Sequence, residues 1–329
     1  MIPAPLARLR RLSLGALLVG YLHIVFGAIV RISGSGFGCG DHWPRCQGLW
    51  FPPLDRTDLI IELAHRYLAA TLILAIGALL FSAWTLRRAD GVSGPGGILR
   101  PAALATVLVV TAAVFGAVIV KLDLQNRYVV VVHLALAMAI LATLVVAAIR
   151  AGAFGRETAD AGGASPRTAR SARALAGIVL AVLIVGALTA NLPGASLSCT
   201  GFPLCRNGYG SEHPYQVVQL SHRLLAFLVL FHAIGVMMGV RKRGESPQMR
   251  RWSMALLHTI LLQIILAAGM VEMSLPPWSR SAHQALATAL WIISVIFATL
   301  AARAAGTAGA TVGARVPLRP MAGAAESTS

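Results

Sequence analysis

Acidic residues are scarce in this chain. Only 12 Asp and Glu stand against 28 Lys and Arg in 329 residues, and charged residues together make up 12%. A soluble domain carries roughly 25%. Aromatic residues contribute 6% and cysteine only four positions, which excludes a small disulfide scaffold. Gly, at 32 residues, is far too rare for a collagen-like chain. What is abundant is apolar: 57% of residues are hydrophobic. Two soluble domains of this combined length cannot hide so much apolar surface, because much of any globule faces water. A polytopic membrane protein remains.

A spanning helix needs about 20 mostly apolar residues. Eight stretches qualify, at 12–32, 58–86, 101–120, 128–149, 173–193, 215–240, 251–272 and 280–302. Backbone polar groups in lipid must be satisfied internally, and the alternating pattern of a barrel is absent, so these are expected to be helices. Basic residues set their orientation. Nineteen of the 28 fall on one side: Arg8, Arg10, Arg11, Arg87, Arg88, Arg100, Arg150, Arg156, Arg167, Arg170, Arg173, Arg241, Lys242, Arg243, Arg250, Arg251, Arg303, Arg315 and Arg319. That side is expected to be cytoplasmic, with both termini inside. The net charge of +16 is then a topology signal reinforced by anionic lipid, and no nucleic-acid partner is expected. The first apolar stretch exceeds the core of a signal peptide and lacks a convincing cleavage site, so it reads as an uncleaved helix.

The small, polar segment 151–172 reads as a cytoplasmic linker dividing four helices from four. The halves resemble each other. Glu62-Leu-Ala-His65-Arg66 matches Gln219-Leu-Ser-His222-Arg223, and His133 matches His283. Each half also has a loop with two cysteines, Cys39 and Cys46 in the first, Cys199 and Cys205 in the second. The expected fold is an all-α membrane protein of two tandem four-helix bundles related by a pseudo-twofold axis along the membrane normal. The bundles are 1–150 and 173–302, and the Ala- and Gly-rich tail 303–329 is expected to be disordered.

Nine histidines are present, and four share one depth. His65, His133, His222 and His283 each lie a few residues inside the outer end of an even-numbered helix. At 1.5 Å rise per residue this is roughly 5–12 Å from the boundary. Ionisable groups inside a membrane are costly and mark function. Facing imidazoles across a bundle can supply both axial ligands of a haem iron. A bland alternative makes each histidine an interhelical hydrogen bond. Zinc is a weaker option, because it gathers four ligands at one point. His23, His42, His213, His232 and His258 lack the pattern and read as packing or surface residues.

Glu62 precedes His65 by one helical turn, and its counterpart Gln219 cannot ionise. Glu62 could serve as an acid or base beside a haem, or simply pair with Arg66. Arg66 and Arg223 could bind haem propionates or snorkel to water. The cysteine pairs suggest one bridge per loop on the oxidising outer side, with redox-active thiols as the alternative. Gly34-Ser-Gly36-Phe-Gly38 lacks the strand-turn-helix context of a phosphate loop and reads as a turn leaving the first helix. Trp43, Trp50 and Trp278 fit an aromatic belt.

Taken together, GAIVRISGSGFGC, WPRC, ELAHR, VVHLALA, SHRLLA and HQALATAL resemble the haem A synthase family in order and spacing. The resemblance runs through the eighth helix. It implies a haem-dependent membrane oxidoreductase of the bacterial-type cell membrane, with its haem sites toward the outer face. The implied reaction takes the C8 methyl of haem O through an alcohol to the formyl of haem A, for cytochrome c oxidase. It also implies that His65 and His133 hold the substrate haem, that His222 and His283 hold a haem b cofactor, and that Glu62 is catalytic. Cys39 and Cys46 would match a functionally important disulfide. Expected partners are haem O, a haem O synthase, an electron donor and the bilayer, with homo-oligomers left open. Two other classes fit the helices: a di-haem b electron-transfer subunit, which the histidines permit equally, and a transporter, which predicts polar sites at the midplane.

Overall fold

The computed structural model describes residues 3–40, 45–121, 127–155, 163–208 and 215–314. Among these residues the chain forms eight long helices and no strand. They are α1 (Ala4–Ser33), α2 (Thr57–Thr85), α3 (Leu99–Lys121), α4 (Arg127–Arg150), α5 (Pro166–Asn191), α6 (Gln216–Lys242), α7 (Pro247–Glu272) and α8 (Pro277–Ala314). A short 3₁₀ turn, Ala195–Leu197, follows α5. All eight helices are long and apolar enough to cross a bilayer, as the sequence predicts.

Three boundaries differ clearly from expectation, the first being the start of α1 at Ala4, ahead of the expected 12. Helix α5 starts at Pro166, inside the expected linker. Ser165 accepts a bond from the Thr168 amide and proline occupies the first turn, which is a helix start encoded locally. Helix α8 continues past 302 to Ala314, because an alanine-rich stretch has high helix propensity. Residues 156–162 of the linker and 315–329 of the tail lie outside the described residues.

Each half closes as a ring of four helices. Helix α1 packs on α2 and α4, and α3 packs on the same two; α5 to α8 repeat this pattern. Between the halves, α4 meets α8, α1 meets α8 and α4 meets α5. Exchanging α1 with α5 and α4 with α8 maps this set onto itself, which is the pattern a twofold axis generates.

The seam between halves is apolar, with Met138 of α4 fully buried and Trp291 of α8 nearly so. The Trp291 indole donates 2.8 Å to the Met138 carbonyl across it, satisfying a buried N–H. At the other end of the seam two arginines cap α5, whose own last turn has no basic residue. Arg31 donates to Ala190 O at 3.3 Å and Arg127 to Asn191 O at 2.7 Å, meeting carbonyls that a helix end leaves open. Outward faces carry Leu74, Phe81, Val107, Leu224, Phe231 and Ile265, all exposed. Lipid tails cover such side chains at no cost in hydrogen bonding.

Candidate functional site

The first site is built where α2 begins. Cys39 and Cys46 are disulfide-bonded, and their bridge packs on Leu59 and Leu63. Glu62 and Arg66 sit one turn apart on the same helix, both buried. One Glu62 oxygen accepts from the Cys39 amide at 2.9 Å, and the other accepts from the Arg66 guanidinium at 2.7 Å. Arg66 also donates to the carbonyls of Arg45, at 2.9 Å, and Gly40. A buried ion pair is tolerable only when its remaining donors and acceptors are met, and here the disulfide loop meets them. Glutamate, arginine and loop therefore form one clamp.

The second half repeats the clamp with inverted polarity. Cys199 and Cys205 are bonded. Gln219 accepts from the Ser198 hydroxyl at 3.0 Å and donates to the carbonyls of Ser196 and Cys199 at 3.3 and 3.4 Å. Arg223 donates to Cys199 O and Pro203 O, both at 3.0 Å. Where the first half uses an acid to accept from Cys39, the second uses an amide to donate to Cys199. Both arginines thus have an occupation that neither sequence reading supplied: they hold loop carbonyls from a buried position.

Below each clamp lies a pair of imidazoles. The His222 and His283 rings are 6.5 Å apart between centroids, at 76°. The Nδ1 of His222 donates to the Val182 carbonyl of α5 at 3.0 Å, which leaves its Nε2 lone pair for a metal. Gln263 of α7 lies 3.0 Å from His283 Nδ1 and donates to the His283 carbonyl. In the first half, the Nδ1 atoms of His65 and His133 are buried without a hydrogen-bond partner.

Glycines make room for these rings. A Cβ on Gly186 of α5 would lie 2.7 Å from His222 Cε1, and one on Gly27 of α1 would lie 3.0 Å from His65 Cε1. Gly116 of α3 sits similarly against His133, at 3.4 Å. The sequence held a signal for the first two, since each is followed by alanine and precedes its loop's first cysteine by about one dozen residues. His23 is a second addition. Sequence reading makes it ordinary packing, but its ring stacks on His65 with centroids 4.2 Å apart and planes within 5°. His232, by contrast, bonds the Ser171 carbonyl at 3.1 Å and stays apart. His42, His213 and Trp43 lie outside the described residues. Trp50 and Trp278 are exposed, as a belt position requires.

These residues fit a haem in each half. A separation of 6.5 Å between ring centres admits one metal ion bound by a nitrogen on either side at about 2 Å. The Nδ1 atoms of the first pair make no hydrogen bond of full geometry, with the backbone of His23 and of Ala112 beside them, and both pairs are shaped by a glycine on the facing helix. Among the described residues no group of three or more His, Cys, Asp or Glu is gathered to hold a single ion.

The model of the cytochrome oxidase assembly protein family, COX15-CtaA, matches residues 10–60 and 56–295. The chain belongs to this family. The matched range contains both clamps and all four paired histidines. A heme A synthase from Symbiobacterium thermophilum is 32% identical over 260 residues, covering 76% of this chain and 82% of that protein. A heme A synthase from Geobacillus kaustophilus is 28% identical over 283 residues, covering 84% of each. A protoheme IX farnesyltransferase from Thermus thermophilus is 30% identical over 317 residues. That match takes in 90% of this chain but 48% of the relative, so the chain spans about half the length of that protein.

Proposed function

We propose that this cytochrome oxidase assembly protein is a haem A synthase, which oxidises the C8 methyl of haem O to the formyl group of haem A. The observation that carries the reading is the unequal repeat. Two imidazole pairs sit in matched positions, but only the first has an ionisable carboxylate, Glu62, one turn before its ligand. Gln219 keeps the shape in the second half and abolishes proton exchange. The reacting half is therefore the first, with His65 and His133 on the substrate haem O. The second half, with His222 and His283, holds haem b. Haem b, when bound, supplies one-electron transfer.

Glu62 is held by the Cys39 amide and Arg66. Both donors fix the position of its two oxygens beside the first histidine pair. The Cys39–Cys46 bridge fixes the amide that holds Glu62, which couples the state of the loop to the position of the carboxylate. The chain lies in the cytoplasmic membrane with both termini inside and the histidine pairs toward the outer face. A haem O synthase is the partner that delivers substrate. The farnesyltransferase name of the longer Thermus relative supports that pairing.

The test is expression in a host that makes haem O but no haem A, followed by chromatography of extracted haems. Haem A or its alcohol precursor is the expected product. A folded, haem-loaded protein that yields neither refutes the reading and leaves a di-haem electron carrier.

A further inference from the structure

We propose that His23 is a positioning residue of the first haem pair, which sets the plane of the His65 ring by face-to-face stacking. The proposal rests on the assignment of His65 and His133 as axial ligands. The stack is close and flat, at 4.2 Å and 5°. His65 cannot turn about its Cβ–Cγ bond without striking the second ring. Gly27 lies on α1 one turn beyond His23, and a Cβ there would already lie 3.0 Å from His65 Cε1. Helix α1 thus presents a histidine and a glycine four residues apart on one face, and together they form a slot for the ligand ring.

The second half builds its slot differently. Gly186 corresponds to Gly27, and Val182, four residues earlier, corresponds to His23. There the Val182 carbonyl accepts from His222 Nδ1 at 3.0 Å, and this bond orients the ligand. The His23 backbone takes the matching place beside the His65 ring as a weaker hydrogen-bond partner, since the His65 Nδ1 falls short of full hydrogen-bond geometry. One ligand plane is held by a full backbone hydrogen bond, the other by a weaker backbone contact and a stacked ring.

A ring at position 23 has a cost that valine at 182 avoids. The Nδ1 of His23 is itself buried without a hydrogen-bond partner, and burying an unpaired polar atom is unfavourable. An aliphatic side chain fills the repeat-related place without that penalty, so the ring earns its position through its face.

The test uses the full chain loaded with haem O and haem b, as wild type, His23→Val and His23→Phe. Valine installs the residue of the second half, and phenylalanine keeps a flat ring without nitrogen. The readouts are the lowest-field g value of each ferric low-spin signal, which follows the angle between axial imidazole planes, and the haem retained through gel filtration. The His222→Ala protein identifies which signal belongs to which half. In His23→Val the first-pair signal is expected to shift and broaden, with several-fold faster loss of that haem and an unchanged second-pair signal. His23→Phe is expected to restore the wild-type signal and retention. An unchanged first-pair signal in His23→Val, or a phenylalanine variant that behaves like valine, overturns the proposal. Loss of both signals also overturns it, since His23 would then support the fold instead of one ring. If wild type itself shows no first-pair low-spin signal, the ligand assignment fails first and the stacking role falls with it.

Discussion

Substituting Gly186 by alanine tests whether the His222 pocket is built to tolerance. The added Cβ would lie 2.7 Å from Cε1 and 3.0 Å from Nδ1 of His222. Non-bonded carbon atoms prefer about 3.5–4.0 Å, so the ring must retreat by roughly 1 Å or the helices must part. The ring is not free to retreat, because its Nδ1 is bonded to Val182 O at 3.0 Å. Overpacking of this kind costs about 1–3 kcal/mol, and loss of the hydrogen bond adds about 0.5–1.5 kcal/mol. Removing a glycine from a helix returns up to about 1 kcal/mol, so the net loss in stability is about 0.5–4.5 kcal/mol. Ligation should suffer more, since a metal–nitrogen bond of about 2 Å does not survive a displacement half its own length. Haem content of the detergent-purified protein is expected to fall at the second pair while the helical circular dichroism persists. Gly177→Ala, on the same helix with nothing within 4 Å of its Cβ, is the control and should keep its haem. A Gly186→Ala protein with full haem occupancy and an unchanged Soret band would refute the reasoning.

Three further outcomes follow from the clamp and the ligand pairs. Glu62→Gln should keep both haems and lose most conversion of haem O, since the amide copies Gln219 in shape; undiminished conversion in the haem extract sinks the acid–base role. Arg66→Ala leaves the buried Glu62 carboxylate and two loop carbonyls without their donor, and should destabilise the protein by about 3–5 kcal/mol; a thermal midpoint within error of wild type contradicts the clamp. His222→Ala should lose haem b and keep haem O binding, and His65→Ala should do the reverse, as measured by extracted haem composition. Interchanged losses would swap the roles of the halves.

Much of the site was legible because its residues are chemically rare in an apolar chain. Four histidines, one glutamate and four cysteines stand out against a hydrophobic background, and the repeat aligns them. Their relation to one another was less legible. Arg66 and Arg223 looked like propionate or interface residues because their helix positions are near the outer boundary. Their loop carbonyl partners come from segments about 20 residues away, folded back by the disulfides. Gly27 and Gly186 were hidden because a glycine's role depends on what lies opposite, and what lies opposite is on another helix.

By itself the sequence determined the class and the number of membrane-length helices, and it is the ground for the expected depth, sidedness of charge and pairing of the halves. All of these depend on distance along one chain, counted at a fixed rise per residue. Tertiary structure alone decided which faces meet. A helix that is apolar all round carries no amphipathic phase to reveal its rotation, so α1 could have turned His23 toward lipid. Packing of α1 between α2, α4 and α8 turns it onto His65 instead. A residue that the sequence made ordinary thus becomes the feature that distinguishes one imidazole pair from the other.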